Sequence, residues 1–112
     1  MTLFEKIATR EIPARIVHET PDFLAFHDIA PQAPVHVLIV PKKVIPRVAE
    51  ATDEDAGLLG KMLLATPLIA KELGVLESGY RLVINNGRDA GEAVPHLHIH
   101  LLAGRPLLWP PG

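Results

Sequence analysis

The chain contains no cysteine. That absence excludes disulfides, thiolate zinc sites and a cysteine nucleophile together. It also lacks a dominant charge, with 11 Lys and Arg against 13 Asp and Glu and a formal net charge of −2. Such a balance gives no broad basic surface for duplex nucleic acid or an anionic membrane, so neither is expected as a partner. No apolar run approaches the ~18 residues of a membrane span. The opening MTLFEKIATREIPARI mixes acids and bases and carries no signal-peptide core, so a cytoplasmic location is expected. What is present is a chain of 112 residues, 48% apolar, enough for one domain around one core. Two residue types are abundant: 11 prolines and six histidines.

Periodicity predicts an α+β fold. Leu3, Phe4, Ile7 and Ala8 recur at helical spacing over residues 3–10, with Thr2 and Glu5 in a capping-box pattern and Pro13 as the stop. Residues 15–19 and 23–28 read as two strands of a hairpin turned at Thr20-Pro21-Asp22. Residues 36–40 are β-branched and apolar, as in a strand buried on both faces. Residues 53–73 read as the main helix. Thr52 caps it, three acids lie at its positive end, Leu58, Met62, Ala65, Ile69 and Leu73 form its buried stripe, and Gly74 stops it. Pro67 lies within that span and predicts a kink or split near Thr66. Residues 80–85 and 96–102 are the fourth and fifth strands, separated by a glycine-bearing loop, and residues 104–112 form an extended tail.

These elements predict one domain over residues 1–112: a five-stranded antiparallel sheet with one main helix and a short N-terminal helix. A single helix covers only one face of such a sheet, which predicts a homodimer that pairs the sheets.

The fifth strand carries the chemistry. On a strand, His96, His98 and His100 line one face while Leu97, Ile99 and Leu101 line the other. With this histidine content, such a row arises by chance roughly 0.02 times per chain. A merely solvated face is the plain alternative, yet three adjacent titratable rings add nothing to folding that Thr or Lys would not. Two chemistries use a row of imidazoles. One is a metal site, which needs a further ligand such as His36 or Asp89. The other is metal-free phosphate chemistry, in which one imidazole attacks phosphorus while its neighbours donate hydrogen bonds and move protons. The loop between Asn85 and Pro95 offers free backbone N–H groups to an anion.

His96-Leu97-His98-Ile99-His100-Leu101-Leu102 resembles the signature of the histidine-triad (HIT) superfamily, His-φ-His-φ-His-φ-φ with φ apolar. More narrowly, the chain is similar to the Hint branch, the purine nucleoside phosphoramidases. That likeness rests on Phe4-Glu5-Lys6-Ile7, Arg10-Glu11-Ile12-Pro13-Ala14, Ala25-Phe26-His27-Asp28-Ile29, Pro31-Gln32-Ala33-Pro34 leading to His36, Pro41-Lys42-Lys43, Gly79-Tyr80-Arg81, Gly104-Arg105-Pro106 and Trp109-Pro110-Pro111-Gly112. It spans nearly the whole chain.

The resemblance implies that His98 is a nucleophile toward the phosphorus of a purine nucleoside phosphoramidate. His100 and His36 then surround the phosphate, and His96 is an orienting partner. It further implies that Asp28 receives the ribose hydroxyls and that Leu3, Phe4, Ile7, Phe26, His27, Ile29 and Leu38 form the base pocket. Taken singly, Leu3, Phe4, Ile7 and Leu38 are better read as core. By the same likeness Asn85, Ala93 and Val94 lie at the phosphate, with Val94 offering its N–H. Trp109 and its neighbours in the tail are expected to reach a partner subunit's site. No cofactor or metal is implied. Ala93 stands where the pattern commonly has a polar side chain, and Pro95 where an aromatic is common. The expected partner is a purine nucleotide or phosphoramidate. The alternatives are a nucleotide-binding or scaffold protein with vestigial activity and a histidine-row zinc module.

Overall fold

A computed structural model describes all residues 1–112. Five strands form one antiparallel sheet: β1 Ile16–Glu19, β2 Phe23–His27, β3 Val35–Pro41, β4 Tyr80–Val83 and β5 Ile99–Ala103. Their order across the sheet is β1-β2-β3-β5-β4, so the last strand made lies beside the central one. Two α-helices complete the fold, α1 at Leu3–Ala8 and α2 at Ala56–Glu72. The architecture is the α+β arrangement that the periodicity predicts.

Alternation along β3 and β5 sends two sets of side chains to opposite faces. Val37, Ile39, Ile99, Leu101 and Ala103 point one way and join Met62, Ile69 and Ala70 of α2 in the main core. Leu38 and Val40 point the other way and join Leu24 and Phe26 of β2 beneath Phe4 and Ile7 of α1. The second face is therefore partly covered, contrary to the expectation of a bare one. Burying the two α1 side chains contributes roughly 1.5–3 kcal/mol each.

α1 begins as its sequence dictates. The Thr2 hydroxyl accepts from Glu5 N–H at 3.1 Å, and the Glu5 carboxylate accepts from Thr2 N–H at 2.7 Å. It ends two residues earlier than expected. Arg10 sits in the left-handed region at φ 67°, which directs Glu11 N–H back to the Lys6 carbonyl at 2.8 Å.

Pro67 does not split α2, which runs unbroken from Ala56 to Glu72. A proline at position 67 has no N–H for the Leu63 carbonyl. The Thr66 hydroxyl donates to that carbonyl instead, at 2.7 Å, and also meets the Tyr80 hydroxyl at 3.0 Å. The first three residues of the expected helix form a 3-10 turn, Asp53–Asp55. There the buried Asp55 carboxylate accepts from Thr52 N–H at 2.9 Å and from Lys43 at 2.6 Å.

β5 starts three residues later than expected, because Leu97 N–H donates to the Ile45 carbonyl in a loop instead of to a neighbouring strand. His96 to His98 thus form an extended lead-in to β5. After β5, Gly104 turns the chain outward at φ 95°, where a Cβ would stand 2.7 Å from the Pro34 ring. The tail beyond it is tied by Arg81, whose guanidinium donates to the Leu107 carbonyl at 3.1 Å. Leu108 and Trp109 remain exposed. No helix is long and apolar enough to cross a membrane.

Candidate active site

The face that carries His36 on β3 also carries the histidines of β5 and its lead-in, and each ring has a distinct set of partners. His96 is fully enclosed. Its Nε2 faces the Pro41 carbonyl at 2.7 Å, and its Nδ1 faces the Thr2 hydroxyl at 2.7 Å. A carbonyl only accepts, so Nε2 carries the proton and Nδ1 accepts from the hydroxyl. Both nitrogens are satisfied, and burial holds the ring below the usual histidine range, so it is neutral. His96 has no free nitrogen for chemistry and serves to fasten the lead-in.

His98 is arranged differently. Its Nδ1 lies 2.8 Å from the His96 carbonyl and must carry the proton. In the neutral ring that leaves a lone pair on Nε2, which has no partner within the chain. The Phe4 ring meets the His98 ring edge-on at 5.0 Å between centroids and fixes its plane.

His36 and His100 form a proton-ordered pair. Gln32 N–H donates to His36 Nδ1 at 3.0 Å. His36 Nε2 therefore carries its proton and donates to His100 Nδ1 at 2.8 Å. His100 in turn carries its proton on Nε2, as a free donor. Burial, with the charges of His98 and His36 added, pushes His100 down to about 4. Burial likewise lowers His36 despite the opposing Asp28 carboxylate.

Asp28, His36 and His100 each bring one potential ligand atom within 4.8 Å of the others, close enough for three ligands of a metal ion. Their hydrogen bonding opposes that use. A metal on His36 Nε2 would move the ring proton to Nδ1, directly against Gln32 N–H. Histidine ligands normally donate from their second nitrogen to an acceptor.

Next to the rings is a mostly apolar cavity of about 160 Å³. Leu3, Phe4 and Ile7 of α1 line it together with Phe26, His27, Asp28, Ile29 and Leu38. Asp28 and Ile29 also line a wider cavity of about 580 Å³, together with Arg15 and Pro31. Burial and the neighbouring Arg15 charge keep His27 below the usual histidine range. The loop from Asn85 to Pro95 leads directly into His96. The N–H groups of Ala93 and Val94 donate to no acceptor within the chain. Ala93 is exposed and Val94 half-buried, so both N–H groups are open to an acceptor from outside the chain.

The HIT domain family model matches residues 9–107. The chain belongs to the HIT family. A HIT family hydrolase from Legionella pneumophila has the same fold with a TM-score of 0.97, at 48% identity over 100% of both chains. A histidine triad nucleotide-binding protein from Candida albicans matches at a TM-score of 0.83 and 33% identity, over 98% of this chain and 83% of its own. An uncharacterized HIT-like protein of Synechocystis is 55% identical over 111 residues, 99% of this chain and 96% of the relative.

Apart from the enclosed His96 and the Ala93–Val94 loop, the residues singled out from sequence in this HIT protein fall into four places. The apolar set and Asp28 share one cavity. His36, His98 and His100 lie on one face above it. Asn85 is half-buried two residues beyond β4, where the pairing with β5 has already ended. Trp109 is 82% exposed and lines neither cavity.

Three contributors escape sequence reasoning. Gln32 and Pro41 act through main-chain groups, which leave no residue-type signal. Thr2 is legible as a helix cap, but its bond to His96 is 94 positions away.

Proposed function

We propose that the protein hydrolyses purine nucleoside phosphoramidates through a covalent nucleotidyl intermediate on His98. The observation that supports this reading best is the Nδ1–H of His98 held on the His96 carbonyl, which leaves Nε2 as the available lone pair. Nε2 would attack phosphorus, the P–N bond would break, and the amine would depart with a proton. Water would then displace His98 and release AMP or GMP. Splitting the reaction in this way replaces one difficult displacement with two easier ones. The free Nε2–H of His100, held in place by His36, and the N–H groups of Ala93 and Val94 would receive the phosphate oxygens. Asp28 would take the ribose hydroxyls, and the slot between α1 and Leu38 the purine.

The reading includes a homodimer. β4 is a free edge of the sheet, and Leu64 and Leu68 of α2 lie exposed. Joining two β4 edges would extend the sheet and cover those leucines. The exposed Trp109 would then reach toward the partner's leaving-group side.

Mass spectrometry of protein quenched in acid during turnover of an adenosine phosphoramidate tests the proposal. An adenylyl adduct mapping to His98 is expected, with EDTA making no difference and His98→Ala losing at least a thousandfold in rate, in line with removal of a nucleophile. Full turnover by His98→Ala would refute it. A binding protein with vestigial activity is the second reading, favoured by Ala93, which has no side-chain donor for the leaving group. It predicts AMP binding by calorimetry without turnover.

A further inference from the structure

The loop that presents the Ala93 and Val94 N–H groups is pinned at both ends. On its C-terminal side, His96 is locked by Thr2 and the Pro41 carbonyl, and Leu97 N–H is bonded to Ile45. On its N-terminal side the pin is Glu92. Its Oε1 accepts from Arg47 Nε at 2.8 Å and from Gly87 N–H at 3.1 Å, while Oε2 accepts from the second Arg47 nitrogen at 3.0 Å. Glu92 N–H also donates to the Gly87 carbonyl at 3.2 Å, closing residues 87–92 into a ring. The Asn86 side chain accepts from Ala49 N–H at 2.8 Å, so the ring is fastened twice to the segment after β3. Between the two pins lie only Ala93, Val94 and Pro95, and proline fixes its own φ.

A bidentate guanidinium–carboxylate fork is a stiff, directional contact, well suited to holding a backbone in one place. The Glu92 side chain is mostly withdrawn from solvent, and Arg47, which also bonds Glu50, offsets its charge. We propose that Glu92, through its fork with Arg47, is a positioning residue that holds the Ala93 and Val94 N–H groups in register for the phosphate of the nucleotide. The inference rests on the proposed reading of this site as a nucleotide phosphate site. It adds a determinant that neither touches the phosphate nor belongs to the histidine row.

The test compares AMP with adenosine, which shares the base and ribose but lacks the phosphate. Calorimetry on wild type, Glu92→Ala, Arg47→Ala and the double variant gives both affinities. AMP affinity is expected to fall about tenfold in each single variant, the scale of one lost charge-assisted hydrogen bond. Adenosine affinity is expected to be unchanged, and the loss in the double variant is expected to be smaller than the sum of the single losses, because each single variant already removes the shared fork. Equal losses for AMP and adenosine would show a general structural role and overturn the proposal, as would no loss for AMP. If Glu92→Ala fails to fold, Glu92→Gln keeps an acceptor for Gly87 N–H while removing the charged fork, and the same AMP-specific loss is expected of it. Wild type binding AMP no tighter than adenosine is a different result. It would refute the phosphate site itself, and the positioning role with it.

Discussion

The three histidines of the row share a face, but their partners give each a different proton arrangement. His96 is closed by two hydrogen bonds, His98 is left with a lone pair, and His100 is left with a donor. The row was legible because side chains alternate on an extended chain. The division of labour was not, because it is set by a carbonyl at Pro41, an amide at Gln32 and a hydroxyl at Thr2. Removing that hydroxyl tests the account. Thr2→Val leaves the enclosed Nδ1 of His96 without its donor and Glu5 N–H without its cap acceptor, so it is expected to cost more than the ~1 kcal/mol of a lost cap alone. Urea denaturation should show a lower midpoint at unchanged slope. A stability equal to wild type would mean that the bond contributes nothing.

At the scale of elements, the hydrophobic period located every strand and both helices, and its errors lie at their ends. β5 begins at Ile99 because its lead-in bonds to a loop, a partner that no period can show. α2 survives Pro67 because a neighbouring hydroxyl takes over the orphaned carbonyl. Two substitutions separate these effects. Thr66→Val removes the substitute donor and the contact with Tyr80, and is expected to lower stability by roughly 1–2 kcal/mol. Pro67→Ala restores a main-chain donor. Its gain should fall well short of the ~3 kcal/mol that proline costs inside a helix, because the Leu63 carbonyl is already bonded. Thermal unfolding of both variants and their combination measures the coupling; strictly additive effects would contradict the shared carbonyl.

For the molecule as a whole, the titrating groups give one direction on the acid side. The hydrogen bonds of Lys42, Lys43 and Arg47 hold Glu19, Asp55 and Glu92 below the usual carboxylate range. Burial lowers His36, His96 and His100. In each case the unfolded chain binds the proton more readily, so each contribution is lost as pH falls. The histidine contributions fade from about pH 6.5 downward and the carboxylate contributions from about pH 4.5 downward. A melting temperature that declines in these two stages between pH 7 and pH 3 is expected, and one that rises on acidification would contradict the signs. The same scale tests the proposed dimer. Leu64→Glu should halve the sedimenting mass, whereas a wild-type chain that sediments as a monomer would refute the pairing. Strand order carries a further consequence, for biosynthesis. β5 is the last strand to leave the ribosome, yet it sits between β3 and β4. Until it emerges, β4 has no neighbour in the sheet and β3 shows a bare edge. A chain cut after Pro95 would therefore keep most of its residues while presenting open strand edges to other chains. It should aggregate and show no cooperative melt, so the strand that follows the histidine lead-in also decides when the nascent chain becomes a folded protein.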